Sequence, residues 1–341
     1  MKQESFQEAS APARVDLAGG TLDLWPLHVL HPGSVTVNLA VNLRAACRVR
    51  PGREGFRVGA SGASFETWAE TPAELLRDPR AALVGALLES LAIAEPLEIE
   101  LTSRVPFGSG LGGSSALVVA LMGALARRAG RDLSRVRKVD LVRDVETRVL
   151  GKPAGVQDYY PALEGGLHTI AFEAGRTRAK RREIDPDMWE RHLTLFDTGA
   201  VHSSGMNNWE IFRARLEGDG EVAERLEEVR AAAAKMAEAA GALDFQAMGA
   251  ALRQEWEARR RLAPVVSSPL IERAISAALA AGAWGGKACG AGGGGCVVFL
   301  SPAEKTASVR EALRGLGEGA VLSVAAESRG LLVNQPARQP R

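Results

Sequence analysis

Gly108, Gly110, Gly112 and Gly113 run directly into Ser114 and Ser115. An extended apolar run, 96–102, precedes them, and Leu117, Leu121, Ala124 and Leu125 follow at helical spacing. The pattern is strand, glycine loop, helix start. Glycine lets a backbone approach a ligand closely, and free N–H groups with the helix dipole favour an anion. Two hydroxyls at a helix start can cap it, bind phosphate oxygens or ligate Mg2+. One glycine would read as an ordinary turn with a serine cap; this density points to phosphate. The loop is not a Walker A sequence, because Gly151-Lys152 and Gly286-Lys287 are followed by Pro153 and Ala288. It matches G-x-G-x-x-G through Gly108, Gly110 and Gly113, so a dinucleotide-binding oxidoreductase is one alternative. That fold wants a second strand ending in an acid about 20 residues on. Residues 132–143 read instead as a charged helix, which demotes it.

Two acids follow. Glu146 falls on a helical pattern over 135–150, and Asp158 comes after a turn through Pro153 and Gly155. A hard carboxylate beside phosphates suits Mg2+, and an acid near an acceptor alcohol suits a base. Alone, each reads as a surface glutamate or a turn aspartate. Together, downstream of the serine loop, they favour function. Lys152 is a further phosphate candidate, with surface charge as the equal alternative. A second glycine-rich stretch, 285–296, reads as strand, loop, strand. Its glycines suit a backbone pressed against a ligand or another glycine loop. Near the start, Arg14 lies on a short strand ending in Gly19-Gly20, with Asp23 beyond. On residue type alone these are a strand-end charge and a turn residue. Trp25 and Trp68 either edge a purine pocket or simply pack.

The elements that must hold these groups read as α+β. A strand over 10–18, an alternating stretch over 33–50, a helix from Pro72 to Ala94 and a turn into a strand at 164–172 come first. The basic run Arg176–Arg182 reads as a solvated hairpin. A polar loop, 197–209, follows an apolar strand at 193–196. Within it His202 and Ser203 are candidate substrate contacts, with a helix cap by Ser203 or Ser204 as the alternative. Two amphipathic helices over 219–262, a third opened by Ser268-Pro269, a helix over 302–314 and a strand over 320–325 complete the second part. The expected division is 1–186, 187–331 and a disordered tail, 332–341.

The totals exclude some classes. A chain of 341 residues with 46% apolar and 24% charged residues can bury one or two cores. With a net charge of +1, nucleic acid or an acidic membrane is not the expected partner. The three cysteines and five scattered histidines form no metal-ligand spacing. No stretch reaches membrane-spanning length and no apolar signal segment opens the sequence, so a cytoplasmic protein is expected.

Pro106-x-x-x-Gly-Leu-Gly-Gly-Ser-Ser-Ala resembles the second motif of the GHMP small-molecule kinases, the superfamily of galactokinase, homoserine, mevalonate and phosphomevalonate kinases. Gly113 stands where the family's first serine is usual, so Ser114 and Ser115 both remain candidates. Ala11-Pro12-Ala13-Arg14-Val15 is similar to the first motif, and Lys287-x-x-Gly-Ala-Gly-Gly-Gly-Gly to the third. The Gly19-Gly20 pair replaces Gly-Glu-His, and Val156-Gln-Asp-Tyr-Tyr looks closer to the heptose-phosphate kinases than to the mevalonate kinases. The resemblance implies a ribosomal-protein-S5-like N-terminal domain and a ferredoxin-like C-terminal domain. It places Mg-ATP on Pro106, Gly108, Ser109, Gly110, Leu111, Gly112, Gly113, Ser114 and Ser115. Mg2+ would be held by Ser114 or Ser115 with Glu146. Asp158 and Arg14 would be catalytic, and Asp23, Gly19, Gly20, His202, Ser203, Gly292 and Gly293 would face the substrate. The implied reaction is phosphoryl transfer from ATP to a hydroxyl of a sugar or sugar phosphate. A mevalonate-type kinase is the runner-up and a non-catalytic nucleotide-binding protein a further alternative. A homodimer is the assembly kept in view.

Overall fold

The computed structural model describes residues 6–61, 65–200 and 204–334. The chain begins with β1 (Gln7–Ala18), α1 (Leu27–Leu30), β2 (Val35–Pro51), β3 (Phe56–Ala60), β4 (Phe65–Ala69), α2 (Pro72–Leu75), α3 (Ala82–Ser90) and β5 (Leu97–Ser103). It continues with α4 (Gly113–Arg128), α5 (Arg135–Leu150), α6 (Tyr159–Glu164), β6 (Leu167–Glu173) and β7 (Arg176–Arg182). Then come α7 (Pro186–Glu190), β8 (Leu193–Asp197), α8 (Ser204–Leu216), α9 (Gly220–Ala242), α10 (Phe245–Arg259) and α11 (Pro269–Ala280). The last elements are β9 (Gly285–Ala288), β10 (Cys296–Leu300), α12 (Thr306–Arg314), β11 (Ala320–Leu322) and β12 (Leu332–Val333).

The first sheet has the order β12-β1-β2-β5-β3-β4, and β6 and β7 branch from β2. The alternating stretch at 33–50 is one long strand. Its first half pairs with β6 and its second half with β5. Among the described residues of this sheet, only β3 and β5 run parallel. Among the described residues α4 is followed by α5 rather than by a strand, and the nearly antiparallel sheet has no place for a dinucleotide βαβ unit, which removes the oxidoreductase alternative. The second sheet, β11-β8-β10-β9, is fully antiparallel, with the strand order of a ferredoxin-like domain.

Three apolar clusters hold these layers. One packs α3, α4 and α5 on the first sheet, with α4 buried almost all round. A second lies between the two sheets, where Val15, Leu17 and Val37 meet Met236 and Met248 of α9 and α10. The third, around Trp256, Ile271 and Phe299, is the core of the second sheet. Serine side chains cap helix starts, Ser268 at the position marked by the sequence. Ser134 accepts from Arg137 N and Ser268 from Ile271 N, each cap contributing about 1 kcal/mol.

Two expectations change. The helix read from Pro72 to Ala94 is two helices, α2 and α3. Pro79 lacks an N–H and disfavours helical backbone at Asp78, whose carboxylate accepts from Arg80 N at 3.0 Å. The tail assigned to 332–341 begins as a strand: Leu332 and Val333 pair with Ser10 and Ala9. The return starts earlier, within the stretch assigned to the second domain. Ala326 bridges to Val41, and Leu331 lies over Gly123 of α4. Residues 335–341 lie outside the described residues. Among the described residues, no helix is long and apolar enough to cross a membrane.

Candidate active site

β5 delivers the chain to the glycine loop, and α4 starts at Gly113. Gly112 is the residue before the helix, at φ 70°, in the left-handed region. A Cβ there would also lie 2.8 Å from Asp158 Oδ2, so conformation and space both require glycine. The loop carbonyls are held from outside. Gly110 O accepts from Arg14 Nη1 at 2.6 Å, Leu111 O from Arg14 N at 3.0 Å, and Ser109 O from Cys296 N at 2.8 Å. The backbone is thereby fixed with the start of a 16-residue helix behind it, the arrangement that suits an anion.

The two serines separate on the helix. Ser114 is exposed, whereas Ser115 is buried. Ser115 Oγ donates to Glu146 Oε1 at 2.9 Å, and Tyr159 OH donates to Glu146 Oε2 at 2.6 Å. Burial pushes the Glu146 carboxyl up to about 7, against the Tyr159 hydrogen bond that favours its ionised form. A buried carboxylate and a hydroxyl at the head of a phosphate-type loop are hard oxygen donors. Mg2+ commonly takes one or two carboxylates together with phosphate oxygens, so Ser115 and Glu146 fit it.

Opposite them, Arg14 and Asp158 form a close pair, with Nε and Nη2 at 2.8 and 2.7 Å from Oδ1. Burial pulls the Arg14 guanidinium down, but the charges of Asp158 and Asp16 outweigh it and hold it above its usual value. Asp158 stands at the start of α6, one residue from Tyr159, and shares this corner with the metal-type pair. Asp23 is buried next to it and accepts from Gln157 N at 3.1 Å. Burial pushes its carboxyl up to about 6; the Gln157 N–H opposes this and the charge of Asp158 adds to it. Gly155 gives Asp23 room, since a Cβ there would lie 2.0 Å from Oδ2.

The third motif closes on the second. A Cβ on Gly295 would lie 2.6 Å from Ser109 C, and one on Gly290 3.0 Å from Gly110 O. Gly290 and Gly295 therefore serve the approach of one loop to another. Gly292 and Gly293, read as substrate contacts, pack on Val266: a Cβ on Gly292 would lie 2.2 Å from Val266 O, and Gly293 N donates to that oxygen at 2.6 Å. The Gly293 N–H is thus engaged by the protein itself. His202 and Ser203 lie outside the described residues. Lys152 sits 5.7 Å from the centre of the Trp209 ring, a cation–π contact. Trp25 and Trp68 are exposed, and the Trp68 indole N–H points to Glu54 O. All three cysteines are free and buried, with the thiols of Cys47 and Cys289 pushed up to about 12 by burial.

Several polar groups escape sequence reading. Asp16, Glu255, Arg259 and Lys287 are fully buried and joined to one another and to the Gly19-Gly20 turn. Lys287 stands inside a recognisable motif, and Glu255 and Arg259 share a helix face at i, i+4 spacing. Nothing local in the sequence says that they meet β1.

Comparison with known proteins agrees with this geometry. Residues 80–166 match the GHMP kinases N terminal domain and residues 220–319 the GHMP kinases C terminal domain, together more than half of the chain. D-glycero-alpha-D-manno-heptose 7-phosphate kinase of Campylobacter jejuni is 28% identical over 318 residues, covering 89% of this chain and 91% of that protein. Galactokinase of Mycobacterium tuberculosis is 26% identical over 339 residues, covering 89% and 91%. Mevalonate kinase of Thermococcus onnurineus is 28% identical over 331 residues, covering 89% and 92%. The crystal structure of a D-glycero-D-manno-heptose 1-phosphate kinase from Bacteroides thetaiotaomicron shares the fold, with a TM-score of 0.76 at 22% identity over 96% of this chain and 99% of that one. Two matched family domains in order, a shared two-domain fold and a glycine loop facing paired acids have one reading: this chain belongs to the GHMP kinases, which transfer a phosphoryl group to a hydroxyl.

Proposed function

We propose that the protein phosphorylates a hydroxyl of a sugar phosphate of the heptose 7-phosphate type, using Mg-ATP. The observation that carries this reading is the placement of Asp158: Arg14 holds one carboxylate oxygen, and the other faces Gly112 of the glycine loop. An acceptor hydroxyl bonded to Asp158 Oδ2 therefore stands beside the loop assigned to the phosphates. The heptose 7-phosphate choice rests on the Campylobacter relative and on the Gly19-Gly20 turn.

Each residue has a defined task. The 106–115 backbone and the α4 N-terminus bind the triphosphate. Ser115 and Glu146 would hold Mg2+, which would supply positive charge beside the phosphates. Asp158 orients the acceptor hydroxyl and receives its proton, while Arg14 keeps Asp158 in place. Asp23 binds a second acceptor hydroxyl. Positioning and charge neutralisation supply most of the acceleration. A cytoplasmic location is part of the same proposal, supported by three buried free thiols.

The Thermococcus relative, also at 28% identity, supports mevalonate as a second acceptor. The test is ADP release from Mg-ATP with D-glycero-D-manno-heptose 7-phosphate, galactose and mevalonate, with Asp158→Asn alongside. Turnover of the heptose phosphate, reduced about 100-fold or more in the variant, is the expected result. Turnover of mevalonate alone overturns the acceptor assignment, and undiminished turnover in Asp158→Asn overturns the role of that residue.

A further inference from the structure

Four charged side chains between the two sheets belong to neither the phosphate loop nor the acid corner. Lys287 Nζ donates to Asp16 Oδ2 at 3.0 Å and to Glu255 Oε1 at 3.1 Å. Arg259 Nε and Nη2 donate to the same Glu255 oxygen at 2.8 and 2.7 Å. Two carboxylates face two cations, so the group is formally neutral, and all four are sequestered from solvent. Buried sets of this kind add little net stability over apolar side chains of the same size. Their placement here serves geometry.

What they grip is the turn after β1. Arg259 Nη2 donates to Gly20 O at 2.7 Å and Nη1 to Thr21 Oγ1 at 3.2 Å, while Gly19 N donates to Glu255 Oε1 at 3.4 Å. Three consecutive residues are thus bound by one i, i+4 pair on α10. Thr21 is β-branched and sits at φ 76°, a strained left-handed conformation that persists only where the surroundings over-determine it. Its hydroxyl also donates to Asn208 Oδ1 at 2.8 Å. Asp23 lies two residues further on, against Gln157 N. The phosphate loop is held by other groups, Arg14 and the Cys296 N–H.

We propose that Glu255 and Arg259 are positioning residues for the acceptor: the pair fixes the Gly19–Thr21 turn, and through it Asp23, and so sets acceptor binding while leaving the nucleotide untouched. This rests on the reading of Asp23 as an acceptor ligand. Arg259→Lys keeps the charge, but one amine cannot reach Glu255, Gly20 O and Thr21 together. Losing hydrogen bonds from a charged donor predicts a KM for heptose 7-phosphate raised about tenfold or more, with the KM for ATP within about twofold of wild type. Amide hydrogen exchange on the unliganded protein is the second readout. Exchange across 17–31 is expected to speed up in Arg259→Lys, with 106–128 unchanged. Thr21→Gly relieves the strain and removes the hydroxyl while leaving α10 intact; it is expected to loosen the same segment and covers the case in which Arg259→Lys does not fold. Unchanged exchange over 17–31, or an equal rise in both KM values, overturns the proposal. Absence of heptose phosphate turnover in wild type overturns the acceptor reading instead, and the exchange arm still decides the positioning role.

Discussion

Asp23→Asn separates the cost of a buried charge from its use. Asp23 is 5% exposed, and burial raises its carboxyl from 3.8 to about 6. Two units at about 1.4 kcal/mol each give roughly 3 kcal/mol as the upper cost of keeping it ionised in the folded protein. The sign follows from proton binding. Between pH 3.8 and about 6 the folded state holds more protons than the unfolded one. The contribution of Asp23 is therefore complete below the unfolded value and lost as pH rises through the folded one. Asparagine can turn its carbonyl oxygen to the Gln157 N–H and drop the charge, although its amide must fit against Gly155. A net gain of about 1–3 kcal/mol at pH 8 is expected, a rise in Tm of roughly 1–4 °C at about 1.4 °C per kcal/mol for a chain of 341 residues. At pH 5, about one unit below the folded value, about 1.4 kcal/mol of that gain is lost. Thermal melts of the unliganded wild type and variant at both pH values provide the assay. Glu146 titrates in both proteins, so the difference between them isolates Asp23. The same variant is expected to lose acceptor binding, with KM up about tenfold or more. Parallel Tm–pH curves for the two proteins would refute the burial argument.

Ser115→Ala removes the hydroxyl bonded to Glu146 and is expected to lower kcat about tenfold or more and raise the Mg2+ requirement, whereas the exposed Ser114→Ala stays within about threefold; Mg2+ titrations of both decide it. Glu146→Gln keeps the shape of the buried carboxyl but not its charge, and a loss of about 100-fold in Mg2+-supported turnover is expected by the same titration. Gly295→Ala forces a Cβ to within 2.6 Å of Ser109 C at a backbone φ of 70°, and is expected to cost about 2 kcal/mol or more and to raise the KM for ATP, read by melts and steady-state kinetics.

The glycine loops were legible because their signal is local: density and order of glycines alone place them beside a ligand or another loop. α5 was legible for the same reason, its helical period lying within the element itself. The choice between Ser114 and Ser115 was not, because it depends on which side of α4 faces Glu146 on α5, a matter of helix packing. The Asp78-Pro79 break stands in the sequence, and the apolar run on either side of it masks it. The β3–β4 hairpin is two five-residue strands on a sheet edge, too short for alternation to mark. The Asp16, Glu255, Arg259 and Lys287 group joins residues from distant parts of the chain. Helical spacing places Glu255 beside Arg259, but only the folded arrangement brings β1 and β9 to them.

The pairing of β12 with β1 has a consequence for biosynthesis. The outer edge of the first strand receives its neighbour from Leu332 and Val333, among the last residues described. On the ribosome, Ala9 and Ser10 of β1 must wait until residues 332–333 have emerged before they find these partners. During the wait they present unpaired N–H and C=O groups, the kind of template on which nascent chains associate. The N-terminal sheet therefore cannot mature ahead of the second domain by simple vectorial folding. A chain cut short before Ala326 would carry both phosphate-loop partners and still lack the strand that seals β1.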